Sequence, residues 1–229
     1  MERHFVVEIQ EIKENLIKMG GKVETAIDSA VRALKNRDAE LAREVIENDT
    51  EINELEIRVE QKCRLLLAKH QPVAMDLRFI MASIKINNDL ERMGDHAVNV
   101  AQKAEILSQA QPVKPLIDIP YMASLAQNMV RDSLDSFVEG DVVKAKKVCE
   151  NDDMVDGLED QINRELLTYM MEDARNISQA LSLSMVAKNL ERIADLSTNI
   201  CEEVIYMVEA RTIKHHFEDV HVKNNSKEK

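Results

Sequence analysis

The sequence predicts an all-α protein, folded as two tandem three-helix bundles related by an internal repeat. Three observations lead there. Aromatic residues are 3 % of the 229 residues and Gly and Pro together number nine, too few turn formers for a many-stranded sandwich or barrel. Apolar residues recur at steps of three and four over long stretches. Polar residues that no core requires recur in the second half of the chain at a nearly fixed offset.

The first helix carries Ile9, Ile12, Leu16, Met19, Val23, Ile27, Ala30 and Leu34 as one stripe. Gly20 and Gly21 weaken it, each by about 1 kcal/mol relative to Ala, and mark either a close helix contact or bend, or a tolerated defect. After a turn at Asn36 to Asp38, a second helix holds Leu41, Val45, Ile52, Leu55, Val59 and Leu66 up to His70, Gln71 and Pro72. The third holds Phe79, Ala82, Ile86, Leu90, Met93, Ala97, Val100, Ala104 and Leu107. Pro112, Pro115 and Pro120 then break any helix and mark a linker, because proline removes a backbone donor. The expected division is a first bundle over residues 1–110, a linker over 111–120, a second bundle over 121–213 and a polar tail over 214–229.

The repeat is visible residue by residue. The segment from Glu47 to Glu56 aligns with Glu150 to Glu159 at an offset of 103, and Leu90-Glu-Arg-Met-Gly-Asp95 aligns with Leu190-Glu-Arg-Ile-Ala-Asp195 at an offset of 100. Asp38 and Asp141 coincide at the preceding turn, as do Asn99 and Asn199 beyond the acidic segment.

Charge and hydropathy exclude several classes. With 30 Lys+Arg against 42 Asp+Glu the formal net charge is -12, the wrong sign for wrapping nucleic acid or an anionic membrane. At 45 % hydrophobic the chain has enough apolar side chains for a core. No apolar run reaches the roughly 18 residues of a membrane span and the first ten residues lack a signal peptide's apolar core, so a cytoplasmic protein is expected. Cys63, Cys149 and Cys201 are scattered without a CxxC spacing, which reads as three helix-borne thiols kept reduced.

The duplicated polar residues assemble into a candidate metal site. Glu91, Asp95 and Asn99 form a row at i, i+4 spacing, repeated as Glu191, Asp195 and Asn199. On the preceding helix Asp49, Asn53 and Glu56 form a second row, repeated as Asp152, Asp156 and Glu159. Antiparallel helices that turn at residue 72 and rise about 1.5 Å per residue place Asp95 level with Asp49 and Glu91 level with Asn53. With a second turn at residue 174, Asp195 comes level with Asp152 or Asp153. The angular offsets from the apolar stripes point both rows to one solvent-accessible groove. Gathered carboxylates repel, and an all-oxygen set of carboxylate and amide suits hard cations such as Mg²⁺, Mn²⁺, Ca²⁺ or iron. The competing reading is two ordinary solvated faces, with Arg92 and Arg192 in weak surface ion pairs.

At these residues the sequence resembles the PhoU family, regulators of bacterial high-affinity phosphate uptake. Gln71-Pro-Val-Ala-Met-Asp-Leu-Arg78 and the paired Leu-Glu-Arg-x-x-Asp segments carry the likeness, which extends to about residue 212. It implies a metal signature on Glu91 with Asp95 and on Glu191 with Asp195. It also implies a cytoplasmic, non-enzymatic negative regulator that couples a phosphate ABC transporter to a sensor histidine kinase. The implied partners are the transporter's ATPase subunit, the kinase and a second copy of the chain. The repeats differ, with Asn176-Ile-Ser against Asp76-Leu-Arg and Ala194 against Gly94, so the two sites are expected to differ in affinity or nuclearity.

Two rivals remain. A ferritin-like di-iron carboxylate oxidase wants two ExxH pairs on core helices, and this sequence has none there. The other rival is a metal-free structural adaptor. No phosphate-binding loop, nucleophile elbow or Ser/His/Asp grouping at a recognisable spacing supports catalysis. Asp76 and Arg78 read as a docking surface or as helix-dipole chemistry. His215, His216 and His221 read as a frayed polar tail or a chelating cluster. His96 is a polar helix residue or an added ligand, and Met19, Met93 and Met129 are core.

Overall fold

In the computed structural model residues 2–211 are described, with side chains from residue 5 onward. Seven α-helices and a short 3-10 turn account for the fold: α1 (Glu2–Asn36), α2 (Ala39–Asn48), α3 (Thr50–His70), α4 (Ala74–Ser108), α5 (Asp118–Glu139), α6 (Val142–Glu172), the turn Ala174–Asn176, and α7 (Ile177–Glu209). No strand occurs among the described residues. His215, His216, His221 and the expected polar tail lie outside the described residues.

Local chemistry sets the helix ends in both halves. Asp38 caps α2 by accepting from the Glu40 and Leu41 amides at 3.1 and 3.0 Å, and Asp141 caps α6 from Val143 and Lys144 at 2.9 and 3.0 Å. Before each cap the chain adopts a left-handed conformation, with Gly140 at φ 67° and Arg37 at φ 58°. Glycine takes that conformation without steric cost, whereas Arg37 is held there by its guanidinium, which donates to the Ser108 and Ala110 carbonyls. α5 begins at Asp118, so Pro120 lies in its first turn, where the missing amide proton has no helical partner to lose. The helix therefore starts inside the stretch expected to be linker.

The first half does not contain three uninterrupted rods. Its second rod breaks at Asp49 into α2 and α3, while α6, its counterpart, runs unbroken through Asp152. Thr50 supplies a reason: its hydroxyl donates to the Glu47 carbonyl at 2.7 Å, competing with the helical ladder, and the second repeat has Asp153 there.

The expected stripes form the core. Ile12, Leu16, Met19, Val23, Ile27, Ala30 and Leu34 are buried along α1, and Phe79, Ala82, Ile86, Leu90, Met93, Ala97, Val100 and Ala104 along α4. One hydrophobic cluster runs through both repeats, because α4 packs along α7 and α1 along α5. Phe79 and Phe137 stack across this junction with ring centroids 5.3 Å apart. Lys85 pairs with Glu203 at 2.7 Å, His96 bonds Asn189 at 2.9 Å, and Arg78 donates to the Met207 carbonyl at 2.9 Å. Arg78 and His96 thus serve the seam between the repeats. Gly20 is the close contact of its pair: a Cβ there would run into Leu134 Cδ1 on α5, whereas one on Gly21 would meet nothing within 4 Å.

Candidate functional site

The helix register brings Asp49 within electrostatic reach of Asp95, and Asp152 within reach of Asp195 and Glu191. In the first repeat, a Cβ on Gly94 would stand 3.1 Å from Asp49 Oδ1 and 3.1 Å from Ile52 Cδ1, so α4 meets the break between α2 and α3 at this glycine. Asn87 donates to the Glu56 carbonyl at 3.0 Å and fixes the same register two turns away. Asp49 is half-buried. Its Oδ2 accepts from Asn53 Nδ2 at 3.0 Å, and its Oδ1 is buried with no hydrogen-bond partner among the described residues.

Burial pushes the Asp49 carboxyl above its ordinary range, and the Asp95 charge adds to the shift. Glu91 is raised in the same way, by burial first and then by Asp95, Glu56 and Asp49. Burial also raises Glu56. Arg92 turns toward Asp89, 3.7 Å away, and among the described residues Glu91 and Asp95 form no salt bridge. Asp95 and Asn99 are exposed, so the cleft opens to solvent.

The second repeat holds the same carboxylates in a different electrostatic setting. Asp152 is pushed up to about 7 by burial, with Asp156, Asp195, Glu191 and Asp153 adding repulsion, and its Oδ1 is buried without a partner among the described residues. Asp156 is raised by burial and by Asp195. Glu191 is only 8 % exposed and is raised chiefly by burial. Two cations stand in this cleft, with Lys188 2.9 Å from Glu191 and Arg192 2.8 Å from Asp195. Arg192 was expected as an ion-pair partner. Lys188, which stands where the first repeat has Asn88, was missed, and a comparison of the repeats at every polar position would have found it.

Not every expected residue joins its cleft. Asn199 lines an open groove of about 420 Å³ between α3, α4 and α7, together with Glu56, Lys85, Asn87, Glu202 and Glu203, so it faces the other repeat. Glu159 accepts from Asn163 at 2.8 Å, one turn further along α6.

The donor chemistry fits an oxygen-preferring cation. Each repeat offers two or three carboxylates whose negative forms burial and mutual repulsion disfavour, plus one buried carboxylate oxygen without a donor. A bound cation would supply positive charge to these groups, a need partly met in the second cleft by Lys188 and Arg192. Among the described residues no three His, Cys, Asp or Glu side chains stand close enough together to hold a metal ion. No helix of the described residues is long and apolar enough to cross a membrane.

Comparison with known proteins agrees with the repeat and the fold. The PhoU domain matches this chain twice, over residues 16–104 and 119–204. The phosphate-specific transport system accessory protein PhoU homolog of Aquifex aeolicus is 46 % identical over 208 residues, 91 % of this chain and 94 % of that one. The Escherichia coli accessory protein PhoU is 36 % identical, over 92 % of this chain and 88 % of its own. The crystal structure of PhoU from Pseudomonas aeruginosa superposes with a TM-score of 0.87 at 39 % identity, covering 90 % of this chain and all of that one. That of the phosphate transport system regulatory protein PhoU from Streptococcus pneumoniae gives 0.85 at 28 %, covering 92 % and 99 %. Two matched repeats, relatives aligned along nearly their whole length and the shared helical architecture have one explanation: the chain belongs to the PhoU family.

Proposed function

We propose that this protein is a non-enzymatic accessory regulator of phosphate transport, an adaptor held in shape by metal ions in its two clefts. The observation that carries this reading is the PhoU domain matched in both repeats, since the relatives that share it are named accessory or regulatory proteins of phosphate transport. In the proposed role it acts in the cytoplasm as a negative regulator, docking on the ATPase subunit of a phosphate ABC transporter and on a sensor histidine kinase, and pairing with a second copy of itself.

The physical support is the charge distribution. An acidic helical surface with a net charge of -12 suits basic docking faces, and cations in the clefts would set how stiffly α3 packs on α4 and α6 on α7. Glu91, Asp95, Asp49 and Asn53 would hold the ion in the first cleft, and Glu191, Asp195, Asp152 and Asp156 in the second. The ion, whether Mg²⁺, Mn²⁺, Ca²⁺ or iron, supplies positive charge that cancels carboxylate repulsion. The first cleft is the stronger candidate, because a cation entering the second must displace Lys188 and Arg192.

Affinity capture with the tagged chain from cells grown at high and at low phosphate tests the regulatory role. The expected result is co-purification of the transporter ATPase and the kinase in proportions that change with phosphate, weakened by Glu91→Ala with Asp95→Ala. Capture of neither partner under either condition would overturn it.

A further inference from the structure

Two of the three cysteines, far apart in sequence, meet in the fold. Cys149 lies on α6 and Cys201 on α7, which pack along each other, and the register that levels Asp152 with Asp195 sets the two thiols side by side, close enough to perturb each other's ionisation. Cys201 is buried, with the Ser136 hydroxyl beside it, whereas Cys149 is half-buried. The inward positions one turn away on each helix are small, Ala145 on α6 and Ser197 on α7, both fully buried. Side chains this small let the two helices pack closely beside the thiols, the approach a disulfide between them needs. Cys63 is different. It is buried in α3, which packs on α1, α2 and α4, and burial pushes its thiol up to about 12.

We propose that Cys149 and Cys201 form a reversible dithiol that a peroxide converts into a disulfide tying α6 to α7. The more accessible Cys149, as thiolate, attacks one peroxide oxygen. The O–O bond breaks, hydroxide departs and takes up a proton as water, and Cys149 is left as a sulfenic acid. The Cys201 sulfur then attacks the Cys149 sulfur. The S–S bond forms as the S–O bond breaks, and the hydroxyl leaves with the Cys201 proton as a second water. Each sulfur gives up one electron, and the peroxide is reduced by two. In a reducing compartment the dithiol is the resting form.

The place of the bond gives it a consequence. Cys149 is one helical turn from Asp152, whose carboxylate feels Asp195 and Glu191 across the same pair of helices. A disulfide here fixes the spacing of α6 and α7 beside the second cleft and leaves the first cleft untouched. The dithiol itself requires only the two thiols, so its test is independent of whether either cleft holds metal.

The experiment treats the folded full-length protein with hydrogen peroxide, alkylates the remaining thiols, and maps the unreduced peptides by mass spectrometry. The expected product links the Cys149 and Cys201 peptides with the loss of two hydrogens, carries Cys63 alkylated, and reverts with dithiothreitol. Cys63→Ser keeps the link and Cys149→Ser abolishes it. The proposal is overturned if the oxidised wild-type chain carries Cys149 as sulfinic or sulfonic acid with Cys201 unlinked, if either cysteine pairs with Cys63, or if both thiols stay free.

Discussion

Asp152 shows at the scale of one residue what the clefts cost the fold. Its folded pKa of about 7 lies above the ordinary aspartate value of 3.8, so the proton binds more tightly to the folded chain than to the unfolded one. The stabilisation is fully present below about pH 4 and is lost as pH rises through about 7. Asp152→Asn should therefore stabilise the metal-free protein at pH 8 by roughly 1–2 kcal/mol and have little effect near pH 4, as measured by urea unfolding at the two pH values. An unchanged unfolding midpoint at pH 8 would mean that the carboxylate is comfortable as an anion. Gly20 and Gly21 make a second pair of single-residue tests. A methyl at Gly20 must displace Leu134, and overpacking a core costs about 1–3 kcal/mol, while a methyl at Gly21 meets open space and gains up to about 1 kcal/mol of helix propensity. Gly21→Ala should raise stability and Gly20→Ala should fall at least about 1 kcal/mol below it in the same measurement. The sequence left these two glycines equivalent, because spacing along one helix does not say where its neighbour's side chains lie.

Among the elements, the paired caps and the two hairpins carry the repeat. Asp38→Ala and Asp141→Ala should each cost about 1 kcal/mol, because each removes the acceptor for two first-turn amides, and similar losses in both halves would show the turns to be equivalent. Helix register was legible from residue numbers alone, since a constant rise fixes which residues of an antiparallel pair stand level. That is why Asp49 feels the charge of Asp95, and Asp152 that of Asp195. The break at Asp49 was not legible, as it depends on the Thr50 hydroxyl choosing a carbonyl over solvent. The meeting of Cys149 and Cys201 was within reach: the register that levels Asp152 with Asp195 puts Cys149 within one turn of Cys201. CxxC spacing does not show it, because the two cysteines lie on different helices. Asn199 illustrates the opposite error, for a row at i, i+4 drifts about 40° per step and by its third member has rotated toward α4.

At the scale of the molecule, the two repeats are unequal partners in one acidic body, with Lys188 and Arg192 in the second cleft only. The stripes of α1 and α4 predicted the core almost residue for residue, but periodicity does not indicate that both halves share it; stacking of Phe79 on Phe137 and the Lys85–Glu203 pair join them. If Lys188 and Arg192 do neutralise the second cleft, Lys188→Asn, which restores the residue of the first repeat, should tighten cation binding there several-fold in calorimetric titration. Weaker binding in that variant would mean that Lys188 organises the cleft instead of blocking it. The most direct test of the twin-cleft account is equilibrium dialysis of the intact chain against Mn²⁺, with bound metal counted by elemental analysis in wild type and in the Glu91→Ala, Asp95→Ala double variant. The wild type should retain the ion, and the double variant, with unchanged helical circular dichroism, should lose the tightest-bound portion. Retention unaltered by the double substitution, or no retention by the wild type, would contradict the account.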